Sequence, residues 1–194
     1  MSTTIEREIK LRFGNPSEAR AAILATGATL LKGRRLQEDC LLDTADGRLR
    51  HQHSILRVRI DSGKNLLTFK GPAQPSDMKV REETETLVGD GLVLLRILEE
   101  LGYHVWFRYQ KYREEFGHED VIIALDETPV GTYVEIEGGE RGIMDVTAAL
   151  GRTPTDFLLD SYRSLYLKHC QSHDLKPGNM LFEDEAEQTV GSRQ

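Results

Sequence analysis

Several stretches of this chain alternate apolar side chains with Arg, Lys, Glu or Asp, so that each, folded as a strand, would have one greasy face and one ionic face. Within 5–13, Glu6, Glu8, Lys10 and Arg12 share a face, and Ile5, Ile9, Leu11 and Phe13 share the other. The pattern returns with Arg57 and Arg59 against Leu56, Val58 and Ile60, and with Thr68 and Lys70 against Leu67 and Phe69. Arg81, Glu83 and Glu85 share a face of the next run, as do Tyr109, Lys111, Arg113 and Glu115 further on, and Glu135 and Glu137 oppose Val134 and Ile136. One such run is an ordinary half-exposed strand with its polar face in water. Six together are different, because solvated faces mix Ser, Thr, Gln, Asn and Lys, whereas these carry almost nothing but charge. The apolar faces also need cover. A sheet that curls with its charged faces inward and its helices outside satisfies both demands and encloses an ionic lumen. Unpaired charges buried there would cost several kcal/mol each, so pairing, bound ions or a ligand are expected.

The remaining pattern supplies the cover. Asn15-Pro16-Ser17-Glu18 is a helix start, and a helix is expected to Thr26, stopped by Gly27. Asp90 to Leu101 has Leu94, Leu95, Leu98 and Leu101 at helical spacing, and 145–150 and 155–170 also read as helices. Further strands are expected over 36–43, 54–60, 65–70, 79–87, 105–116, 121–126 and 132–138, with spacings short enough for antiparallel neighbours. At 194 residues a single domain over 1–171 is expected, followed by a flexible acidic tail over 172–194. No apolar run approaches the roughly 20 residues that span a bilayer, so no membrane partner is expected. The N-terminus lacks the apolar core of a secretory signal, which makes the cytoplasm the expected location. A formal net charge of −7 argues against nucleic-acid binding. Cys40 and Cys170 stand alone and read as free thiols rather than a disulfide or a zinc site.

The chemistry lies in the inward faces. Lys10, Arg57, Arg59, Lys70, Arg81, Lys111 and Arg113 would converge from separate strands, and that many fixed cations suit a chain of phosphates rather than one carboxylate. Glu6, Glu8, Glu135 and Glu137 come from the first and last strands and would offer hard oxygen ligands to Mg²⁺ or Mn²⁺. A cation clamp with a divalent metal is what phosphoryl chemistry requires. His51 and His53 read as loop residues, Lys32-Gly33-Arg34-Arg35 as a solvated turn, and Trp106 as a packing residue rather than a platform for a base.

In order along the chain, these residues resemble the CYTH family of triphosphate tunnel metalloenzymes, which includes class IV adenylate cyclases and thiamine triphosphatases. Glu6-Arg7-Glu8-Ile9-Lys10 resembles its ExExK signature, Leu56-Arg57-Val58-Arg59 its LRxR strand, and Thr68-Phe69-Lys70-Gly71-Pro72 its TxKGP strand and turn. Arg81-Glu82-Glu83 with Glu85 is similar to RxExE, Lys111-Tyr112-Arg113 to KxR, and Leu125-Asp126 through Gly131 to Glu135-Ile136-Glu137 to the closing element. Asp39 and Asp43-Thr44 sit where the family has a D-x-x-x-D-T stretch, read here as turn chemistry. Ser161-Tyr162-Arg163-Ser164-Leu165 is similar to the C-terminal helix of prokaryotic cyclase-like members. The resemblance covers about residues 5–168. It implies an α+β chain whose closed eight-stranded antiparallel β-barrel forms a tunnel with helices packed outside. It further implies a divalent metal at the glutamates and a triphosphate on the Lys and Arg set, with Lys10 and Glu8 assigned to catalysis. ATP, tripolyphosphate and thiamine triphosphate are the implied substrates, turned over by a monomer or homodimer. A module that binds phosphorylated ligands without turnover is the non-enzymatic alternative.

Overall fold

The structure, a computed structural model, describes residues 4–61 and 63–183. Strands β1 (Thr4–Phe13), β2 (Thr29–Thr44), β3 (Ile55–Asp61), β4 (Lys64–Lys70), β5 (Lys79–Val88), β6 (Tyr103–His118), β7 (Val121–Thr128) and β8 (Gly131–Glu137) form an antiparallel sheet. The sheet closes on itself in the order β1-β5-β4-β3-β2-β6-β7-β8. Helices α1 (Pro16–Ala25), α2 (Arg48–His51), α3 (Gly91–Glu100), α4 (Glu140–Ala149) and α5 (Tyr162–Ser172) lie outside it, as the α+β expectation requires. Closure falls on β1, whose first half pairs with β5 (Glu6 opposite Arg81) and whose second half pairs with β8 (Lys10 opposite Glu135). Beyond Glu8 the β5 side of β1 is taken over by the chain before α5, where Lys10 and Leu158 exchange backbone hydrogen bonds of 3.3 and 2.9 Å.

Alternation decides what faces where. Ile9, Leu11 and Phe13 of β1, Phe116 of β6, Ile123 and Leu125 of β7, and Val134 and Ile136 of β8 point outward. They are buried beneath Ala19 and Ile23 of α1 and Ile143 and Val146 of α4. The Asn15 side chain accepts from the Glu18 N–H, Pro16 opens α1, and Gly27 leaves it at a φ of 87° that favours glycine. A second apolar cluster joins Phe107, Tyr109, Tyr133, Tyr162, Leu165 and Met180. Cover is thinner around α3, which leaves Leu92 and Leu101 each 68% exposed.

The element boundaries differ from expectation for local reasons. β2 starts at Thr29, not 36, so the expected turn at Lys32-Gly33-Arg34-Arg35 is strand. Register shifts against β6 absorb its irregularity, and Arg34 lies 3.6 Å from the centre of the Tyr112 ring while bonding Glu127. α4 starts at Glu140 rather than 145, because Gly139 caps it without a side-chain bond and so leaves no capping signature. α5 starts at Tyr162 rather than 155, behind the strand-like Leu158 contact, with Ser161 capping the Ser164 N–H. The short α2, expected as loop, is organised by Asp43, whose carboxylate accepts from the N–H groups of Leu49 and Arg50.

Of the expected tail, the residues to Phe182 run back along β6. Met180 exchanges backbone hydrogen bonds with Arg108 and Gln110 and is 1% exposed, and the Phe182 ring packs tilted against Tyr112 with centroids 5.0 Å apart. Residues from Asp184 lie outside those described. Among the described residues no helix is long and apolar enough to cross a membrane. Ile136→Ala should lower stability by about 3 kcal/mol and Met180→Ala by about 2 kcal/mol, read as shifts in the urea midpoint at constant m. An unchanged midpoint for Met180→Ala would show that 174–182 contributes nothing to the barrel's stability.

Candidate functional site

The inward faces enclose a cavity of about 750 Å³. All the cations and carboxylates assigned from the sequence line it: Lys10, Arg57, Arg59, Lys70, Arg81, Lys111 and Arg113, with Glu6, Glu8, Glu135 and Glu137. They reach it because each occupies the inward phase of its strand, one residue out of step with the buried core. Lys79, Glu83 and Glu85 of β5 join them, and Arg50, His53, Trp106, Ser161 and Arg163 line the part reached by α2 and α5. Ten Lys and Arg residues face six lining carboxylates, with Asp39 and Asp126 buried among them. The cavity therefore holds two more cations than anions in a chain whose net charge is −7. That concentration of positive charge suits a polyanion.

The charges are interlocked. Lys10 lies 3.1 Å from Glu8 and 3.0 Å from Glu135. Lys70 lies 2.6 Å from Glu6 and 3.0 Å from Glu83, while Lys79 also binds Glu8. Arg59 grips Asp39 through two bonds of 2.8 and 3.2 Å, and Arg57 donates to Thr68 at 3.1 Å and to Glu85 at 3.4 Å. Lys111 donates to Asp126 at 2.9 Å, and Arg113 binds both Asp126 and Glu135. Two of the ten make no ion pair among the described residues: Arg163, which lies over the Trp106 ring, and Arg81, whose buried Nε and Nη1 have no hydrogen-bond partner. Arg81 is thus a cavity-lining cation with two unpartnered donors.

Burial penalises every charge here, and neighbours decide which survive. Desolvation would push the Glu8 carboxyl up, yet Lys10 and Lys79 hold it well below the usual carboxylate range. Lys10 feels the same burial, but Glu135 and Glu8 hold it protonated far above an ordinary lysine. Lys111 goes the other way: burial, reinforced by Arg113, brings its pKa down to about 8. Glu137 is open to solvent by area, but the cavity wall strips enough water from it, with Glu6 and Glu8 adding repulsion, to push its pKa up to about 7.

That crowding tests the expected metal. Glu6 and Glu137 are both raised, first by burial and then by neighbouring carboxylates, and Glu137 makes no ion pair among the described residues. Hard oxygen donors that repel one another fit a divalent cation, so Glu6, Glu8 and Glu137 would hold it. Glu137 is the one donor with no cation already on it among the described residues; Glu6 would have to release Lys70, Glu8 Lys10 and Lys79, and Glu135 Lys10 and Arg113. Among the described residues no three acidic, His or Cys side chains already converge at ligand spacing.

Four residues stand differently from expectation. Asp39, read as turn chemistry, is a fully buried lumen carboxylate in mid-strand, and the alternation Gln37, Asp39, Leu41 already placed it inward. Asp126, part of a recognised element but given no role, is 0% exposed and anchors two cations. Trp106 packs as expected, with the guanidinium groups of Arg50 and Arg163 at 4.7 and 4.8 Å from its ring, but it also lines the cavity. His53, expected in a loop, lines it too.

Lys111 offers a pH test. Its pKa falls from 10.5 unfolded to about 8 folded, so the native state binds fewer protons between those values, and this group's contribution to stability improves as pH rises through them. Between pH 7 and 9 the wild type should gain about 1 kcal/mol relative to Lys111→Met, measured by urea unfolding of both proteins. A difference that stays constant across that range would mean Lys111 titrates normally.

Comparisons with known proteins fit this geometry. A protein of Methanocaldococcus jannaschii named as a candidate adenylate cyclase is 26% identical over 172 residues, covering 83% of this chain and 98% of its own length. A Vibrio parahaemolyticus structure, described as a candidate adenylate cyclase, superposes with a TM-score of 0.73 at 19% identity, over 84% of this chain and 98% of that one. A Hippeastrum protein, described as a candidate adenylyl cyclase with dominant triphosphatase activity, gives 0.62 at 19% identity, over 89% and 98%. The two structures share the fold. Residues 4–151 match the CYTH domain, and the chain belongs to the CYTH family.

Proposed function

We propose that this chain is a divalent-metal-dependent enzyme acting on a triphosphate-bearing substrate, and that its reaction is conversion of ATP to cyclic AMP and pyrophosphate. The observation that carries the first part is the surplus of fixed cations in one enclosed cavity, with Arg81 unpaired, beside a crowded set of carboxylates. The cyclase reading draws on the Methanocaldococcus jannaschii relative, matched over nearly its whole length.

Arg57, Arg59, Lys70, Arg81, Lys111 and Arg113 would take the phosphate oxygens and align the chain, trading some present carboxylate contacts for phosphate ones. Lys10, held protonated by Glu135 and Glu8, serves as a permanent cation and not as a base. Lys111, with a pKa brought down to about 8, is still mostly protonated at neutral pH and so serves the clamp as a cation. A divalent ion on Glu6, Glu8 and Glu137 would neutralise charge developing on the phosphate oxygens. In the cyclase reaction the ribose 3′-oxygen bonds to the α-phosphorus, its proton passes to water, and the bond to the bridging oxygen breaks to release pyrophosphate. In a triphosphatase, water attacks the terminal phosphorus with the same clamp.

One observation favours hydrolysis of inorganic or thiamine triphosphate as the second reading. The Trp106 ring already carries Arg50 and Arg163, so it presents little free aromatic surface to a purine. The deciding experiment incubates the protein with ATP, tripolyphosphate or thiamine triphosphate and Mg²⁺ or Mn²⁺, then separates products. Cyclic AMP without orthophosphate supports the cyclase, orthophosphate alone supports the triphosphatase, and saturable binding with no product leaves only a binding module. Glu137→Ala should lower turnover by at least about 100-fold while its melting temperature stays within a few degrees of wild type. Undiminished turnover in that variant would remove Glu137 from the metal site.

A further inference from the structure

Tyr162 enters the lumen from α5, outside the sheet, and is 5% exposed. Its hydroxyl donates to Asp126 Oδ2 at 2.5 Å. The same oxygen accepts from Lys111 Nζ at 2.9 Å and from Arg113 Nη2 at 2.5 Å, while Oδ1 accepts from Arg113 Nε at 2.7 Å. The Tyr162 ring lies 4.8 Å from Lys111 Nζ and 5.3 Å from Lys10 Nζ, and is wedged between Tyr109 and Tyr133 with centroids 5.8 and 5.7 Å away. The backbone just before it is fastened to β1 by the Lys10 and Leu158 exchange. Asp126 has no exposed surface, so no water competes for its lone pairs, and its orientation is fixed by the three side chains that bond it.

We propose that Tyr162 is a positioning residue: by holding Asp126 it fixes Lys111 and Arg113 in the direction in which they meet the phosphate chain, so that a helix outside the barrel aligns a clamp built on β6. The assignment rests on the triphosphate reading for its catalytic consequence, but not for its geometric one. Simple core packing would explain the ring alone. It does not account for a hydroxyl aimed at the carboxylate that two lumen cations share.

Tyr162→Phe keeps the ring and deletes the hydroxyl, so the fold should persist. The ¹⁵N NMR signal of the Arg113 Nε–H reports the geometry directly, with no substrate needed. Its hydrogen exchange is expected to quicken at least about tenfold in Tyr162→Phe, because Asp126 loses one of its three restraints. With the substrate identified by the product assay, kcat should fall about tenfold and KM change less than about threefold, the split expected when alignment is lost but binding is kept. In an Asp126→Asn background the Tyr162→Phe effect on kcat should shrink, since that carboxylate carries both branches, to Lys111 and to Arg113. Unchanged Arg113 exchange overturns the proposal, and so does an equal loss of kcat in both backgrounds. A wild type that neither binds nor turns over tripolyphosphate, ATP or thiamine triphosphate would refute the triphosphate reading, and the exchange measurement would still judge Tyr162.

Discussion

The structure turns on how charge is kept inside a protein. Asp39 and Asp126 have no exposed surface, and each is tolerable only because cations bond it directly: Arg59 and Arg57 on the first, Lys111 and Arg113 on the second. A buried ion pair seldom adds net stability, but breaking one leaves an uncompensated charge at a cost of about 3–5 kcal/mol. These pairs therefore act as a constraint more than as glue. They hold guanidinium and ammonium groups at fixed places around a cavity that water alone would leave to wander. The stabilising work is done on the other side of the sheet, where Ile9, Val134 and Ile136 meet α1 and α4.

Fixing cations in advance is how such a site can act on a polyanion. Side chains that are already desolvated and already aimed need little rearrangement when charge shifts among phosphate oxygens. The two regions of the cavity differ in this respect. Around Asp39 and Asp126 every cation is held, whereas around Glu6, Glu8 and Glu137 the carboxylates crowd one another, and burial with that crowding raises two of the three. One region is preorganised for anions; in the other, Lys70, Lys10 and Lys79 settle Glu8 but leave Glu6 and Glu137 raised.

Much of this was legible in the sequence, and for one reason. A strand's period is two, so the inward phase of Arg57, Lys111 or Glu137 follows from simple alternation once the opposite phase is seen to be apolar. The barrel, the helices on its outside and the convergence of the cations follow from applying that rule to several strands at once. Asp39 was missed because a neighbouring D-T pair suggested a turn, although the parity of β2 pointed it inward. Tyr162 and Arg163 could not be found by that rule, since they arrive from a helix whose docking is set by tertiary contacts. The start of α4 was hidden for a local reason, Gly139 capping it through backbone alone.

The pairing of β1 with both β5 and β8 has a consequence for how the chain folds. The barrel's first strand in chain order is the partner of its last, so the ring cannot shut until Glu137 has been made. Until then the sheet is an open ribbon with two unsatisfied edges, the circumstance in which β-proteins most often stick to one another. Here its concave side is studded with like and unlike charges instead of greasy residues. The charged lining of the finished cavity is thus also what keeps the concave side of the unfinished sheet wetted until its final strand arrives.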